Sequence, residues 1–194
     1  MRALIWRVLW TPVFLIWSPG FRVSGDIPRY PVVFAANHAS HADTAAIQLA
    51  LARAGHTRVL AAGAEDYFFS GRLRAALARL IGVFPFPRTG RVGIERAGRI
   101  LSRDVSVLLY PQGTRNGGPF RCGVAHLAHA APVVPVTITG TAQLLPKGSR
   151  FPRRSTVTLR FGSPLSPRPG ESPDQFAARV EWAVCGRLHP GTAA

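Results

Sequence analysis

Cysteine, lysine and acidic residues are all scarce in this chain. The two cysteines, Cys122 and Cys185, stand far apart and in no metal-like spacing. That excludes a disulfide framework and a zinc cluster, and each reads as a small buried hydrophobe in a reducing compartment. Nine acidic residues face 24 basic ones, for a formal net charge of +15, and Lys147 is the one lysine among the arginines. Such a balance favours anionic partners: phospholipid surfaces, phosphorylated substrates or nucleic acid. No apolar run reaches the roughly 20 clean residues that span a bilayer. The strongly apolar residues 3–17 are interrupted by Arg7 and Pro12. No Gly/Ser linker, repeat or low-complexity tract divides the chain. Its 194 residues, 47% of them hydrophobic, therefore read as one domain around one sizeable core.

What is present begins with that apolar opening. Trp6, Trp10 and Trp17 fall near one helical face, and Trp prefers the bilayer interface. Ser18-Pro19-Gly20 makes a poor signal-peptide cleavage site. Residues 1–20 are thus expected to form an amphipathic helix or hairpin lying on a membrane, though a Trp-rich core helix fits the same letters. Beyond it, strand-like runs at Phe21–Val23, Val32–Ala36, Arg58–Ala62, Gly82–Phe86, Val105–Leu109, Pro132–Thr139 and Thr156–Phe161 alternate with helix-like ones. The helices are expected at Ala42–Ala54, Gly71–Ile81 with Leu73, Leu77 and Leu80 at helical spacing, Arg91–Arg103, Cys122–Ala130 and Pro173–Leu188. Pro135 points to an edge strand or a bulge. The alternation predicts an α/β fold, a single-domain sandwich around a mainly parallel, mixed sheet over residues 21–188, with 189–194 as a tail.

Chemistry-bearing residues gather where strands end. Val32-Val33-Phe34-Ala35-Ala36 runs into Asn37-His38, and Asp43 follows five residues after the histidine, at the start of a helix. A carboxylate on one ring nitrogen of His38 fixes its tautomer and raises the basicity of the other, which makes a general base. The same spacing also fits a plain helix start capped by Ser40, with Asp43 at the positive end of the dipole. Gly82 to Phe86 leads to Pro87-Arg88, where Arg88 reads either as a solvated charge or as an anion ligand. The strand at Val105–Leu109 runs into Tyr110-Pro111-Gln112-Gly113-Thr114-Arg115-Asn116, a glycine-rich loop that can offer backbone N–H groups and an arginine fork to a phosphate. An ordinary tight turn is the other reading. In open α/β sheets such strand ends share one crevice. His56, His126, His129 and His189 lack an acidic partner at useful spacing and read as surface or packing residues.

Taken in order, these segments resemble the glycerolipid (lysophospholipid) acyltransferases of the 1-acylglycerol-3-phosphate type. Asn37-His38-Ala39-Ser40-His41-Ala42-Asp43 matches the family's N-H-x4-D motif. Gly82 to Arg88 resembles its G-x-x-F-x-x-R-like block, Tyr110 to Asn116 its F-P-E-G-T-R-S block, and Val134-Pro135-Val136-Thr137-Ile138 its V-P-V-x-I block. Phe120-Arg121-Cys122-Gly123 and Leu159 to Pro164 resemble two further elements. Gln112 departs from the pattern, standing where the family usually has Glu, and so removes a negative charge beside the head-group site.

The resemblance implies a glycerol-3-phosphate acyltransferase-like fold. It implies direct acyl transfer from acyl-CoA or acyl carrier protein to a lysolipid hydroxyl, with His38 as general base and Asp43 orienting it. It also implies Arg88, Gln112, Gly113, Thr114 and Arg115 as substrate-binding residues, with no bound cofactor and no metal. An anionic membrane surface and a lysophospholipid acceptor are the implied partners, at the cytoplasmic face of the cell membrane. Because of Gln112, a lyso-ornithine lipid or glycolipid acceptor stays open, as does a low-activity lipid-binding protein of the same fold. Nucleic acid is not expected: no aromatic-basic or recognition-helix pattern occurs, and the Trp run suits lipid better.

Overall fold

The computed structural model describes residues 11–87, 89–115, 117–149 and 151–186. Seven strands form one sheet: β1 (Arg22–Ser24), β2 (Val33–Ala36), β3 (Val59–Ala64), β4 (Val83–Phe86), β5 (Ser106–Leu109), β6 (Val133–Thr139) and β7 (Thr158–Phe161), in the order β1-β7-β6-β2-β5-β3-β4. All neighbours pair in parallel except β6 and β7. A parallel sheet needs apolar side chains on both faces, because crossover helices cover both. β2 supplies them by alternation. Phe34 and Ala36 point into one core layer, whereas Val33 and Ala35 point into the other.

The helices divide between those layers. α1 (Thr11–Trp17), α2 (Ala42–Arg53) and α4 (Arg72–Leu80), which follows the short α3 (Glu65–Phe68), pack on the Phe34 side. α5 (Val92–Leu101), α6 (Gly123–Ala128) and α8 (Pro173–Cys185) pack on the Val33 side, and α7 (Thr141–Leu144) is a single turn after β6. α8 starts cleanly because Ser172 and Gln175 form a reciprocal capping box with Pro173 at the first turn. α5 approaches β4 so closely that a Cβ on Gly93 would lie 2.9 Å from Phe86 Cζ. A larger residue there would have to displace the Phe86 ring.

Several expectations are corrected. Of the two readings of Pro135 the edge is excluded, since β6 lies between β2 and β7. It sits at a bulge: the ladder pairs Val136 with Phe161 but Val133 with Leu165, one residue out of step, and Gly162 N–H donates to Pro135 O at 2.8 Å. Pro135 needs no N–H partner where the ladder is already broken. The helix at Leu73, Leu77 and Leu80 forms, but these three leucines are exposed and the small Ala75 and Ala78 face the sheet. Val92 on α5 likewise points outward. Cys122 is exposed rather than buried, and Cys185 is half-buried. α3 and α7 are short helices outside the helix-like runs named above. At the N-terminus, Phe14 is buried edge-on to Phe21 at 5.1 Å while Ile16 and Trp17 stay exposed. Trp6 and Trp10, on which the interfacial reading also leans, lie outside the described residues.

His56 is a packing residue with both ring nitrogens engaged. Nδ1 faces Pro28 O and Nε2 faces Ser106 Oγ, each at 2.8 Å, and Ser106 Oγ also accepts from Val32 N–H. Burial lowers its pKa from the ordinary 6.5, against the raising effect of the Pro28 carbonyl. Below pH 6.5 the unfolded chain therefore takes up a proton before the folded one. The stabilising contribution is complete above that pH and is lost as pH falls through the folded value. The melting temperature should drop between pH 7.5 and 5.5, and His56→Gln should make that drop shallower in thermal unfolding monitored by circular dichroism.

Candidate functional site

The connection after β2 crosses to β3 on one side, and the connection after β5 crosses to β6 on the other, yet β2 and β5 are neighbours. This is a topological switch point, where the loops diverge and leave a crevice beyond the strand ends. His38 follows β2 and the Tyr110–Arg115 loop follows β5, so both stand at this crevice.

Local backbone geometry builds the His–Asp pair. Asn37 fixes the end of β2 by mimicking a ladder partner: its Nδ2 donates to Ile138 O and its Oδ1 accepts from Ile138 N–H, both at 2.8 Å. The chain then wraps around a carboxylate. Asp43 Oδ2 lies 2.7 Å from His38 Nδ1 and accepts from Ala39 N–H at 2.8 Å and Ser40 N–H at 2.9 Å. The Asp43 side chain is fully buried, while that of His38 is 18% exposed. In the neutral ring this bond puts the proton on Nδ1 and leaves the lone pair on Nε2. Asp43 Oδ1 is buried without a hydrogen-bond partner. The plain helix-start reading holds in part: Asp43 lies in the first turn of α2, but His41, not Ser40, is at the N-cap position and makes no side-chain cap. Ser40 Oγ accepts from Ala42 N–H and donates to Leu145 O at 2.8 Å, so it braces the turn.

The β5 loop closes on this pair from across the switch point. Gln112 Oε1 accepts from His38 N–H at 3.0 Å, and Gln112 Nε2 donates to Gly118 O at 3.3 Å. A carboxylate could make the first of these bonds but not the second. Gln112 therefore ties its own loop to the His38 backbone, a function the residue types alone do not suggest. Gly113, with φ of +68°, donates its N–H to Tyr110 O at 2.9 Å; this closes the tight turn and commits that N–H to it. Thr114 and Arg115 follow, both half-buried. The Arg115 charge reaches the same place. Burial first, then the Arg115 guanidinium and His38, lower the pKa of His41 below the ordinary value. Arg88 lies outside the described residues, as does Asn116.

Two aromatic side chains to which the motif reading gave no role of their own stack on the two histidines. The Tyr110 ring stacks on His38 with centroids 4.1 Å apart, and its hydroxyl is 2.8 Å from Thr44 Oγ1 on α2. Burial, and then the Asp43 charge, push the Tyr110 phenol well above its ordinary pKa, so it stays a neutral hydrogen-bonding group. Tyr67 on α3 stacks on His41 at 5.6 Å. The signal for Tyr110 was a hydroxyl at the end of a central strand, facing a helix that starts at the neighbouring strand end.

A family model described as Acyltransferase matches residues 20–139. The 1-acyl-sn-glycerol-3-phosphate acyltransferase alpha of Ovis aries is 31% identical over 163 residues, covering 79% of this chain and 55% of the relative. A 1-acyl-sn-glycerol-3-phosphate acyltransferase of Chlamydomonas reinhardtii is 28% identical over 184 residues, covering 84% of this chain and 50% of the relative. The chain spans about half or less of the length of the curated relatives it matches. Among solved structures, the 1-acyl-sn-glycerophosphate acyltransferase PlsC from Thermotoga maritima superposes with a TM-score of 0.72 at 21% identity, covering 94% of this chain and 75% of the other, and shares the fold.

The geometry predicts how the pair responds to loss of charge. Asp43→Asn should fold, but its carboxamide can meet His38 Nδ1 either as acceptor or as donor. The imidazole of His38 should change from one dominant tautomer to a mixture, read from its ring ¹⁵N chemical shifts.

Proposed function

The chain belongs to the acyltransferase family, and on that premise we propose that it moves a fatty acyl chain from an acyl thioester to a hydroxyl of a lysophospholipid such as 1-acylglycerol-3-phosphate. The observation that carries this reading is the 2.7 Å bond between His38 Nδ1 and the buried Asp43 at the switch point, which leaves Nε2 as the basic atom at the crevice. His38 Nε2 takes the proton from the acceptor hydroxyl as its oxygen attacks the thioester carbonyl. Asp43 stabilises the imidazolium that results. The tetrahedral intermediate then expels the thiolate, which leaves as the thiol with the proton held on His38. No acyl-enzyme intervenes, and the thioester is activated enough that no metal or bound cofactor is needed.

The acceptor phosphate is assigned to Arg115, with Arg88 and Thr114 as further ligands and the Gly113 turn setting where they stand. Gln112 positions this loop against His38. The donor is acyl-CoA or acyl carrier protein, both anionic and suited to a chain of net charge +15. Residues 1–20 hold the protein to the cytoplasmic face of the membrane, where lysolipids lie. A second reading, with a lyso-ornithine lipid or glycolipid as acceptor, is favoured by the uncharged Gln112.

Two substitutions test the assignment through thiol release from acyl-CoA with a panel of lysolipids. His38→Ala should fold and lose roughly 10²- to 10⁴-fold in turnover, the range for removal of a general base; near wild-type transfer would remove His38 from that role. Arg115→Ala should raise the KM of an anionic acceptor roughly tenfold, as for the loss of one charge-assisted contact, and leave the thioester KM nearly unchanged. An unaltered acceptor KM would refute the clamp.

A further inference from the structure

α4 carries its apolar stripe on the wrong side for a core helix. Leu73, Leu77 and Leu80 are 74%, 54% and 47% exposed. At 100° per residue they fall within about 60° of one another, nearly opposite the buried Ala75 and Ala78. Arg74 borders the stripe on one side, and Arg72 and Arg79 lie beyond Ala76 on the other. The helix has no acidic residue; Glu65 and Asp66 precede it on α3. Arg74 Nη1 donates to Ser70 Oγ at 3.3 Å, and the Arg79 guanidinium lies 5.6 Å from the Phe69 ring centroid. Both contacts are within this segment and leave the charges at the rim of the stripe.

A convex row of leucines with arginines along both borders has the chemistry of a helix lying in a lipid interface. The leucines enter the acyl boundary, and the arginines stay level with phosphate groups. The stripe also continues toward the crevice. α3, joined to α4 by Phe69 to Gly71, presents an exposed Tyr67 that stacks on His41, two residues before Asp43. Among the described residues no helix is long and apolar enough to cross a membrane.

We propose that α4 is a lipid-docking helix: Leu73, Leu77 and Leu80 insert into the interface of an anionic bilayer, Arg72, Arg74 and Arg79 meet its headgroups, and this contact, separate from residues 1–20, sets the crevice against the surface that carries the acceptor. The inference rests on the membrane-associated part of the function proposed above and adds the surface that does the docking.

The test is sedimentation of the full chain with vesicles of phosphatidylglycerol and phosphatidylcholine in equal parts, or of phosphatidylcholine alone. The combined Leu73→Gln, Leu77→Gln, Leu80→Gln variant should keep its melting temperature and lose at least about tenfold in partition to the mixed vesicles, as expected when apolar area no longer leaves water. The combined Arg72→Gln, Arg74→Gln, Arg79→Gln variant should lose binding to the mixed vesicles, keep binding to the neutral ones, and show a flatter salt dependence. Should the triple leucine variant not fold, Leu77→Gln alone should lower partition about threefold. Wild-type partition by the folded leucine variants would overturn the proposal. So would a change from dimer to monomer in size-exclusion chromatography with vesicle binding unchanged, which would assign the stripe to a second copy of the chain. Acyl transfer to a detergent-dispersed acceptor separates this result from the enzymatic reading. Loss of vesicle binding with transfer retained supports docking. Docking through α4 in a protein that transfers nothing would overturn the enzymatic reading alone.

Discussion

Asp43 Oδ2 receives three hydrogen bonds, from His38 Nδ1 and from the N–H groups of Ala39 and Ser40, and the local geometry of the site depends on that one atom. Two of the donors are backbone groups of the turn itself. The turn therefore takes its shape around the carboxylate, and the histidine ring is aimed as a consequence. Full burial of Asp43 strengthens each bond by excluding competing water. It also makes the arrangement costly to vary. A shorter or longer turn would leave a buried carboxylate with too few donors, a loss of about 1–3 kcal/mol or more for each polar group left unpaired. The five-residue spacing is thus the chain length needed to leave β2, wrap one oxygen and begin α2.

The wider frame does for the loops what Asp43 does for the turn. β2 is held on one side by β6, through the ladder and through Asn37 on Ile138, and on the other by β5. Everything placed just beyond β2 and β5 is consequently fixed to the rigid middle of the sheet. Gln112 and Tyr110 use that fixity. One bonds the His38 backbone and the other stacks under its ring, so the histidine is held along its main chain, at Nδ1 and across its face. Among the described residues, no hydrogen bond engages Nε2. In the function proposed above, preorganisation of this kind places the base before the acceptor arrives, which is where much of the rate of a proton-transfer step comes from.

How far the letters of the chain foretold this differs by level. Alternation of apolar and helical segments placed the seven strands and most covering helices within a residue or two, because a doubly covered parallel sheet leaves a strong imprint: four consecutive buried residues in β2 and again in β5. The His38–Asp43 pair was legible because both members sit on one short turn. Contacts between distant loops were not. Nothing local to Gln112 shows that its carboxamide bridges His38 N–H and Gly118 O, and nothing local to Tyr110 shows Thr44 opposite it, since each bond depends on which strands become neighbours. Periodicity misled at α4 for a related reason. It locates a helix, but the face that packs is set by the partner, and the sheet beside β4 admits Ala75 and Ala78 where leucines would not approach as closely. Pro135 similarly read as an edge or a bulge, and only the neighbours of β6 decide for the bulge.

Those two levels meet in how the site would face a membrane. In the proposed reaction a base covered on one face by Tyr110 and fixed at Nδ1 by Asp43 is reached from the open end of the strands, and its acceptor is a molecule half in lipid. A crevice beyond parallel strands is useful for such a substrate only if its mouth meets the bilayer, and one attachment point leaves the molecule free to pivot about it. α1 and α4 lie at opposite ends of the sheet: α1 is beside β7 through Ser18 and Val157, while α4 is beside β4. Two contacts at opposite ends of the sheet restrict tilt as one cannot. In the docking proposed for α4, the cost of exposing three leucines, several kcal/mol of unburied apolar surface by area, is offset by orientation rather than by stability of the isolated fold.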